Sequence, residues 1–278
     1  QRIYYANGDE VKNVQKMALG SHQSCAITSN NKAICWGNTQ PWSVSPTSTD
    51  YTGCGFASSV TARGRACYLV NNSNEDYSDV VDISTGSNTQ GGCFIRNENS
   101  VGKVYCWGQD PSGSGAVFDT ARAITAFNSK SAVKVSVGEN YTCVAYNDNT
   151  LKCMGSNSYG RLGINNTSGS NYNTPQDVSF FETDGTTPVG IKPHTLMTRN
   201  YWACAQDNND KVQCWGYGQA GQFGITNTYS YKPRIMAPSE QVSSFTMSNT
   251  ALCLTNAQKE VRCLGDNTYA NLGNPRTL

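Results

Sequence analysis

Cysteine is the residue type whose number and spacing could carry chemistry in this chain. Its 278 residues include 12 cysteines, at positions 25, 35, 54, 67, 93, 106, 143, 153, 204, 214, 253 and 263. Such a set could ligate zinc, supply nucleophiles or close disulfides, and spacing separates these options. Four pairs (Cys25/Cys35, Cys143/Cys153, Cys204/Cys214, Cys253/Cys263) share one spacing, and Cys54/Cys67 and Cys93/Cys106 share a slightly longer one. Zinc sites use knuckles of closely spaced cysteines or nearby histidines. The chain has no such knuckle and only His22 and His194, so no metal site is expected.

The residues inside each pair give the geometry. Between Cys25 and Cys35, Cys143 and Cys153, and Cys204 and Cys214 the sequence reads as a short strand, a three-residue turn rich in Asn and Asp, and a returning strand. Asn and Asp tolerate the positive φ that such a hairpin closure requires. The two cysteines then lie directly opposite each other, close enough to bond. Six hairpin disulfides are expected, each worth about 2.5 to 3 kcal/mol in a disputed chain-entropy treatment. They imply an oxidising compartment, with the protein secreted or on a cell surface.

Other catalytic signals are thin. His22 occupies a repeat position filled elsewhere by Gln90, Tyr141 or Trp202 and reads as packing, and His194 beside Pro193 reads as surface. No Gly-x-Ser-x-Gly elbow, phosphate loop or His-Glu-x-x-His is present. The acidic pairs Asp207/Asp210 and Glu182/Asp184 do not complete a calcium loop and read as turns. No catalytic residue and no cofactor is expected. A formal charge of +1 without a basic cluster argues against nucleic acid, and no apolar run is long enough for membrane insertion. A first residue of Gln is compatible with a cleaved export signal.

The cysteine pairs punctuate an internal repeat. VQKMALGSHQSCAI…AICWGN, VVDISTGSNTQGGCFI…VYCWGQ, AVKVSVGENYTCVA…LKCMGSNSYGRLG, KPHTLMTRNYWACAQ…VQCWGYGQAGQFG and VSSFTMSNTALCLT…VRCLGDNTYANLG are plain copies, and the unit around Cys54 and Cys67 is degenerate. Each copy supplies a strand, a laced hairpin and a Gly-rich loop, too little apolar surface to fold alone. A radial all-β propeller follows, because ring closure leaves only short protected edges. Trp36, Trp107 and Trp215 share one repeat slot with Met154 and Leu264 and read as packing between blades. The glycines after them, Gly37, Gly108, Gly155, Gly216 and Gly265, read as tight turns between blades.

The phrase Gly-x-x-x-x-Cys-Ala/Val…Cys-Trp-Gly-x-Asn…Gly-x-Leu/Phe-Gly, seen in residues 20–38, 138–163 and 204–224, resembles the regulator of chromosome condensation type of repeat. The resemblance covers most of residues 11–273 and implies a β-propeller, commonly of seven blades. It includes secreted bacterial members such as a propeller-shaped inhibitor of β-lactamases. Length divided by repeat spacing favours six blades, with seven as the alternative. Residues 1–278 are expected to form a single domain whose N- and C-termini close a shared blade. The nucleotide-exchange and chromatin role carried by the family name is not transferred, since it belongs to a reducing compartment.

Function is sought where the repeat breaks. One insert, residues 38–53, holds Trp42 and Tyr51; another, residues 156–196, holds Tyr159, Tyr172, Phe180 and Phe181. A third group, Tyr217, Tyr229 and Tyr231, follows the fifth hairpin. Tyr and Trp among Ser, Asn and Gly on a rigid scaffold make a contact surface of low entropy cost. The expected function is an adhesin-like, non-enzymatic recognition module that binds an extracellular protein or glycan. It could form the tip of a larger surface fibre and oligomerise through a region outside this chain. The alternatives are a secreted enzyme inhibitor and, less favoured, a propeller hydrolase with carboxylates in its central channel. Sequons stand at Asn71, Asn140, Asn165 and Asn166.

Overall fold

The computed structural model describes residues 2–5, 8–20, 23–37, 65–71, 75–86, 91–112, 114–218, 220–224, 228–270 and 272–273. His22, Trp42, Tyr51 and Cys54 lie outside the described residues.

The hairpins form as the cysteine spacing predicts. In β3 (Gln23–Thr28) and β4 (Ala33–Gly37), Cys25 faces Cys35 and bonds to it. The same holds for Cys143–Cys153 in β11 (Tyr141–Tyr146) and β12 (Leu151–Ser156) and for Cys204–Cys214 in β17 (Trp202–Gln206) and β18 (Val212–Gly218). Cys253–Cys263 joins β21 (Ala251–Asn256) to β22 (Val261–Gly265). The last turn residue carries the positive φ in each case: Asn31, Asn149, Asp210 and Lys259. Cys93–Cys106 joins β7 (Gly91–Glu98) to β8 (Val101–Gln109), whose longer arms close on a two-residue turn with positive φ at Asn99 and Ser100.

A strand precedes each hairpin and, in all but the last sheet, one follows. The second sheet runs β6 (Val80–Thr85), β7, β8, β9 (Val117–Ala123), and the third runs β10 (Ala132–Val137), β11, β12, β13 (Asn171–Asp177). A small ribbon of β14 (Phe180–Phe181) and β15 (Pro188–Val189) separates these from the fourth, β16 (Met197–Thr198), β17, β18, β19 (Thr228–Met236). The fifth holds β20 (Val242–Met247), β21 and β22. In the first sheet β2 (Val14–Leu19), β3 and β4 are followed by β5 (Arg65–Tyr68), and β1 (Tyr4–Tyr5) adds to β5 in parallel. The first strands of four sheets converge on one central cavity of about 310 Å³, which is the propeller arrangement.

The described residues therefore form five blades, a correction to the expected six or seven. Among the described residues the degenerate unit contributes β5, whose Cys67 lies opposite Cys35, between β4 and β1 of the first blade. The insert of residues 156–196 also consumes length that the spacing arithmetic assigned to a regular repeat. Cys67 is disulfide-bonded, and its expected partner Cys54 lies outside the described residues.

Alternation along the hairpins fixes how blades stack. The cysteines point to the next blade, and the residue after the second cysteine points to the preceding one. Trp107 packs in one cluster with Cys25 and Cys35, Met154 with Cys93 and Cys106, Trp215 with Cys143 and Cys153, and Leu264 against Cys204 and Cys214. The shared slot is thus packing, as expected. Gly155 and Gly216 differ from expectation in place. They lie inside the third strands, where the pairing with the fourth strand slips, at φ 114° and 98°. A Cβ there would lie 2.4 Å from the Asn140 carbonyl oxygen and 2.3 Å from that of Tyr201, so the hairpin partner needs glycine.

Cys143–Cys153 and Cys253–Cys263 close loops of equal length, so their chain-entropy contributions match. Only the first is sealed beneath Trp215. Replacing both cysteines by alanine should cost about 3 to 5 kcal/mol at Cys143/Cys153 and about 1 kcal/mol less at Cys253/Cys263 in denaturant unfolding. Equal losses would show that inter-blade packing adds nothing to the sulfur bridge.

Candidate recognition surface

The aromatic cluster is assembled from one loop and one strand pair. After β12 the chain makes a tight 3-10 turn, Ser158–Gly160, anchored by the fully buried Asn157. The Asn157 amide donates to the carbonyls of Asn166 and Ser168 at 2.9 and 2.8 Å, and its oxygen accepts the Leu162 N–H at 3.2 Å. This pins Tyr159 at a φ of 65°, a backbone state rarely adopted by a bulky residue. Its ring is thereby carried onto the fourth blade.

There it meets Tyr217 and Tyr229, which face each other across β18 and β19. The rings are nearly parallel, with centroids 4.7 Å apart for Tyr217–Tyr229, 5.2 Å for Tyr159–Tyr217 and 5.9 Å for Tyr159–Tyr229. Tyr231, two residues along the same face of β19, extends the group at 6.3 Å from Tyr229. Tyr201 closes it edge-on to Tyr159 at 5.5 Å. Tyr159 and Tyr229 remain 44% exposed.

Arg161 braces the cluster from beneath. Its guanidinium donates to the carbonyls of Ser158 at 2.8 Å and Glu139 at 2.5 Å, and lies 4.9 Å from the Tyr201 ring centre and 5.6 Å from that of Tyr159. Burial pushes it below the ordinary arginine range. The Glu139 carboxylate raises the Tyr201 phenol, with burial adding to it; partial desolvation and Tyr229 raise that of Tyr217. The surface offers the exposed parts of the Tyr159 and Tyr229 rings together with phenol hydroxyls. It can satisfy polar groups over an apolar base.

Four of the residues singled out from sequence, Tyr159, Tyr217, Tyr229 and Tyr231, thus come together. Tyr172 does not join them. It sits on β13 against the core between the third and fourth blades, and its hydroxyl accepts the Asn166 amide at 3.0 Å. Sequence reasoning missed Tyr201 and Arg161, whose sole signal was an aromatic and a cation beside repeat positions that read as packing. The acidic pairs are turns: Asp207 accepts the N–H groups of Asn209 and Lys211, and Asp184 those of Thr186 and Thr187. His194 is exposed on the 3-10 turn Pro193–Thr195.

Residues 132–161, from β10 to Arg161, match the model of the Regulator of chromosome condensation (RCC1) repeat. Human WBSCR16 superposes on 95% of the chain with a TM-score of 0.70 at 17% identity, and Prp20p of Saccharomyces cerevisiae on 95% with 0.69 at 15%. The chain is an RCC1-like β-propeller. Among curated relatives, the serine/threonine-protein kinase Nek9 of Xenopus laevis is 27% identical over 144 residues, and that of Mus musculus 25% over 135. These stretches cover 52% and 48% of this RCC1-like propeller and 13% of each kinase. Of the solved chains it spans 64% and 60%. The Prp20p structure is described together with its binding to Gsp1p and histones. The five described disulfides indicate an oxidising environment for this propeller.

Substituting Arg161→Met should remove the brace, weaken the near-ultraviolet circular dichroism of the tyrosines and cost about 1.5 to 3 kcal/mol in thermal or denaturant unfolding. Glu139→Gln should bring the Tyr201 phenol back toward its ordinary value. The raised phenol stabilises the fold fully below the ordinary tyrosine pKa, and this is lost as pH rises through the raised value. Tyrosinate absorbance should therefore develop at lower pH in the variant, and an unchanged titration would show that the carboxylate does not reach the ring.

Proposed function

We propose that this propeller is a non-enzymatic recognition module, secreted or displayed on a cell surface, that binds a protein partner through the tyrosine cluster of its third and fourth blades. The observation that carries this reading is the mutual stacking of Tyr159, Tyr217 and Tyr229, rigid and still exposed. Rigid aromatics pay little entropy on binding and supply both apolar area and hydroxyls. A saccharide reader stacks sugar rings on aromatic faces, and here each of the three rings already has aromatic neighbours, which favours a protein partner. An adhesin-like role on a target surface is the favoured form, and the protein binding named for Prp20p is of the same broad kind.

An enzyme inhibitor is the second reading, favoured by the stack forming at one blade border among the described residues, as a single aromatic face without repeat symmetry. A hydrolase is disfavoured by the charged lining of the central cavity, Lys16, Lys134 and Arg199, where the buried Asp82 carboxylate is held by both lysines. Trp42 and Tyr51 stay within the proposal as further contact residues.

The oxidised protein should be screened against a glycan array and against protein extracts of candidate target surfaces. Tyr159→Ala/Tyr217→Ala should reduce capture of one protein at least about tenfold, the loss of a hot-spot pair, with the melting temperature nearly unchanged. Glycan signals that the double variant abolishes would replace the protein reading by a lectin-like one, and capture untouched by the variant would move the site elsewhere.

A further inference from the structure

Two lysines and an arginine line the central cavity, and one buried carboxylate answers the two lysines. Lys16, Asp82 and Lys134 hold the same register position in β2, β6 and β10, each just past the strand bulge. Their side chains meet there. Both ammonium groups pair with the same Asp82 oxygen, Lys134 at 3.5 Å, while the other oxygen accepts the Val135 N–H at 2.7 Å. A carboxylate 1% exposed and fully engaged thus faces two cations, each with three protons to donate. Burial holds the Lys134 ammonium below the ordinary lysine value against the pull of Asp82, and Lys16 adds to the lowering.

Arg199 adds charge from another level of the same cavity. Its N–H bonds the Trp202 carbonyl as those of Gly20, Gly86 and Gly138 bond the carbonyls of Gln23, Gly91 and Tyr141, so an arginine stands where three other blades have glycine. The guanidinium donates to the carbonyls of Met247 at 3.0 Å and Thr198 at 2.9 Å, and no carboxylate among the described residues pairs with it. Thr85 lines the cavity as well. It is 7% exposed, and its Oγ1 has no hydrogen-bond partner among the described residues. Buried cations and hydroxyls are ordinarily paired, and a concave site with one sign of charge gathers counterions. The segments outside the described residues contain one acidic side chain, Asp50.

We propose that the central cavity binds a small multivalent oxyanion of the phosphate type, held by the Lys16 and Lys134 ammonium groups, with Arg199 and the Thr85 hydroxyl as further donors. At about 310 Å³ the cavity lies at the small end of ligand sites, the size for a compact anion. Charge-assisted bonds from lysine and arginine are the strong ones available to such a group. The proposal is independent of the protein-binding reading, since no residue of the tyrosine cluster lines this cavity.

The test is calorimetric titration of the oxidised 278-residue protein with sodium pyrophosphate, beside sulfate and chloride, at constant ionic strength. Pyrophosphate should fill one site with a Kd of about 100 μM or tighter, and Lys134→Met and Arg199→Gly should each weaken it about tenfold. The first variant leaves Asp82 its Lys16 and Val135 partners, and the second restores the residue that other blades carry. Sulfate binding at the same site, weakened by the same variants, also supports the proposal. Absence of saturable binding overturns it, as do binding that neither variant weakens and an equal response to chloride, which is screening alone. Binding that appears only in Asp50→Asn would make Asp50 the cavity's own counterion and overturn it too. If a variant does not fold, acetylation of the unaltered protein by acetic anhydride decides. Pyrophosphate should slow modification of Lys16 and Lys134 about tenfold while the exposed Lys259 reacts as before, and equal rates with and without it refute the site.

Discussion

The contact between a hairpin disulfide and the large side chain of the following blade governs this molecule. Cys143–Cys153 lies beneath Trp215 and Cys25–Cys35 beneath Trp107, and both the sulfur bridges and the indoles are almost fully removed from water. A blade of three or four short strands cannot bury an apolar face by itself. The bridge ties the two strands of each hairpin together, and the neighbour's residue fills the face that the bridge presents. Stacking order, blade spacing and the burial of the inner strands all follow from this one alternation: cysteine toward the next blade, its successor toward the last.

The tyrosine cluster exploits that regularity by departing from it. The loop after β12 is an ordinary part of the repeat, with Asn157 satisfying the backbone groups that the turn leaves over. Because blades are held rigidly against one another, a side chain leaving this loop reaches the same place on the fourth blade every time. Tyr159 therefore meets Tyr217 and Tyr229 without a mobile element between them, and Arg161 ties the loop to Glu139 on the third blade. Recognition residues on such a frame pay the cost of ordering during folding.

Much of this was legible in the sequence. The cysteine spacing gave the hairpins, the Asn and Asp turns gave their closure, and repetition of Cys-Trp-Gly gave the propeller. The blade count was not legible, because cysteine spacing does not record which strand a segment pairs with. Cys67 lies on β5, which pairs with β4 of the first blade and sets it opposite Cys35. Likewise Tyr172 and Tyr159 sit in the same insert and read alike, yet one is turned against the core and the other is carried outward by a positive φ.

By itself the sequence determined what is local: which cysteines bond in the five described hairpins, where those hairpins turn and which residues repeat, since these depend on neighbours within one hairpin. Tertiary structure alone decided the number of described blades, the meeting of Tyr159 with Tyr217 and Tyr229, and the brace of Arg161. Each of these depends on which sheet face lies against which, and that is set by packing between segments up to a whole blade apart, where no pattern in the chain records the distance.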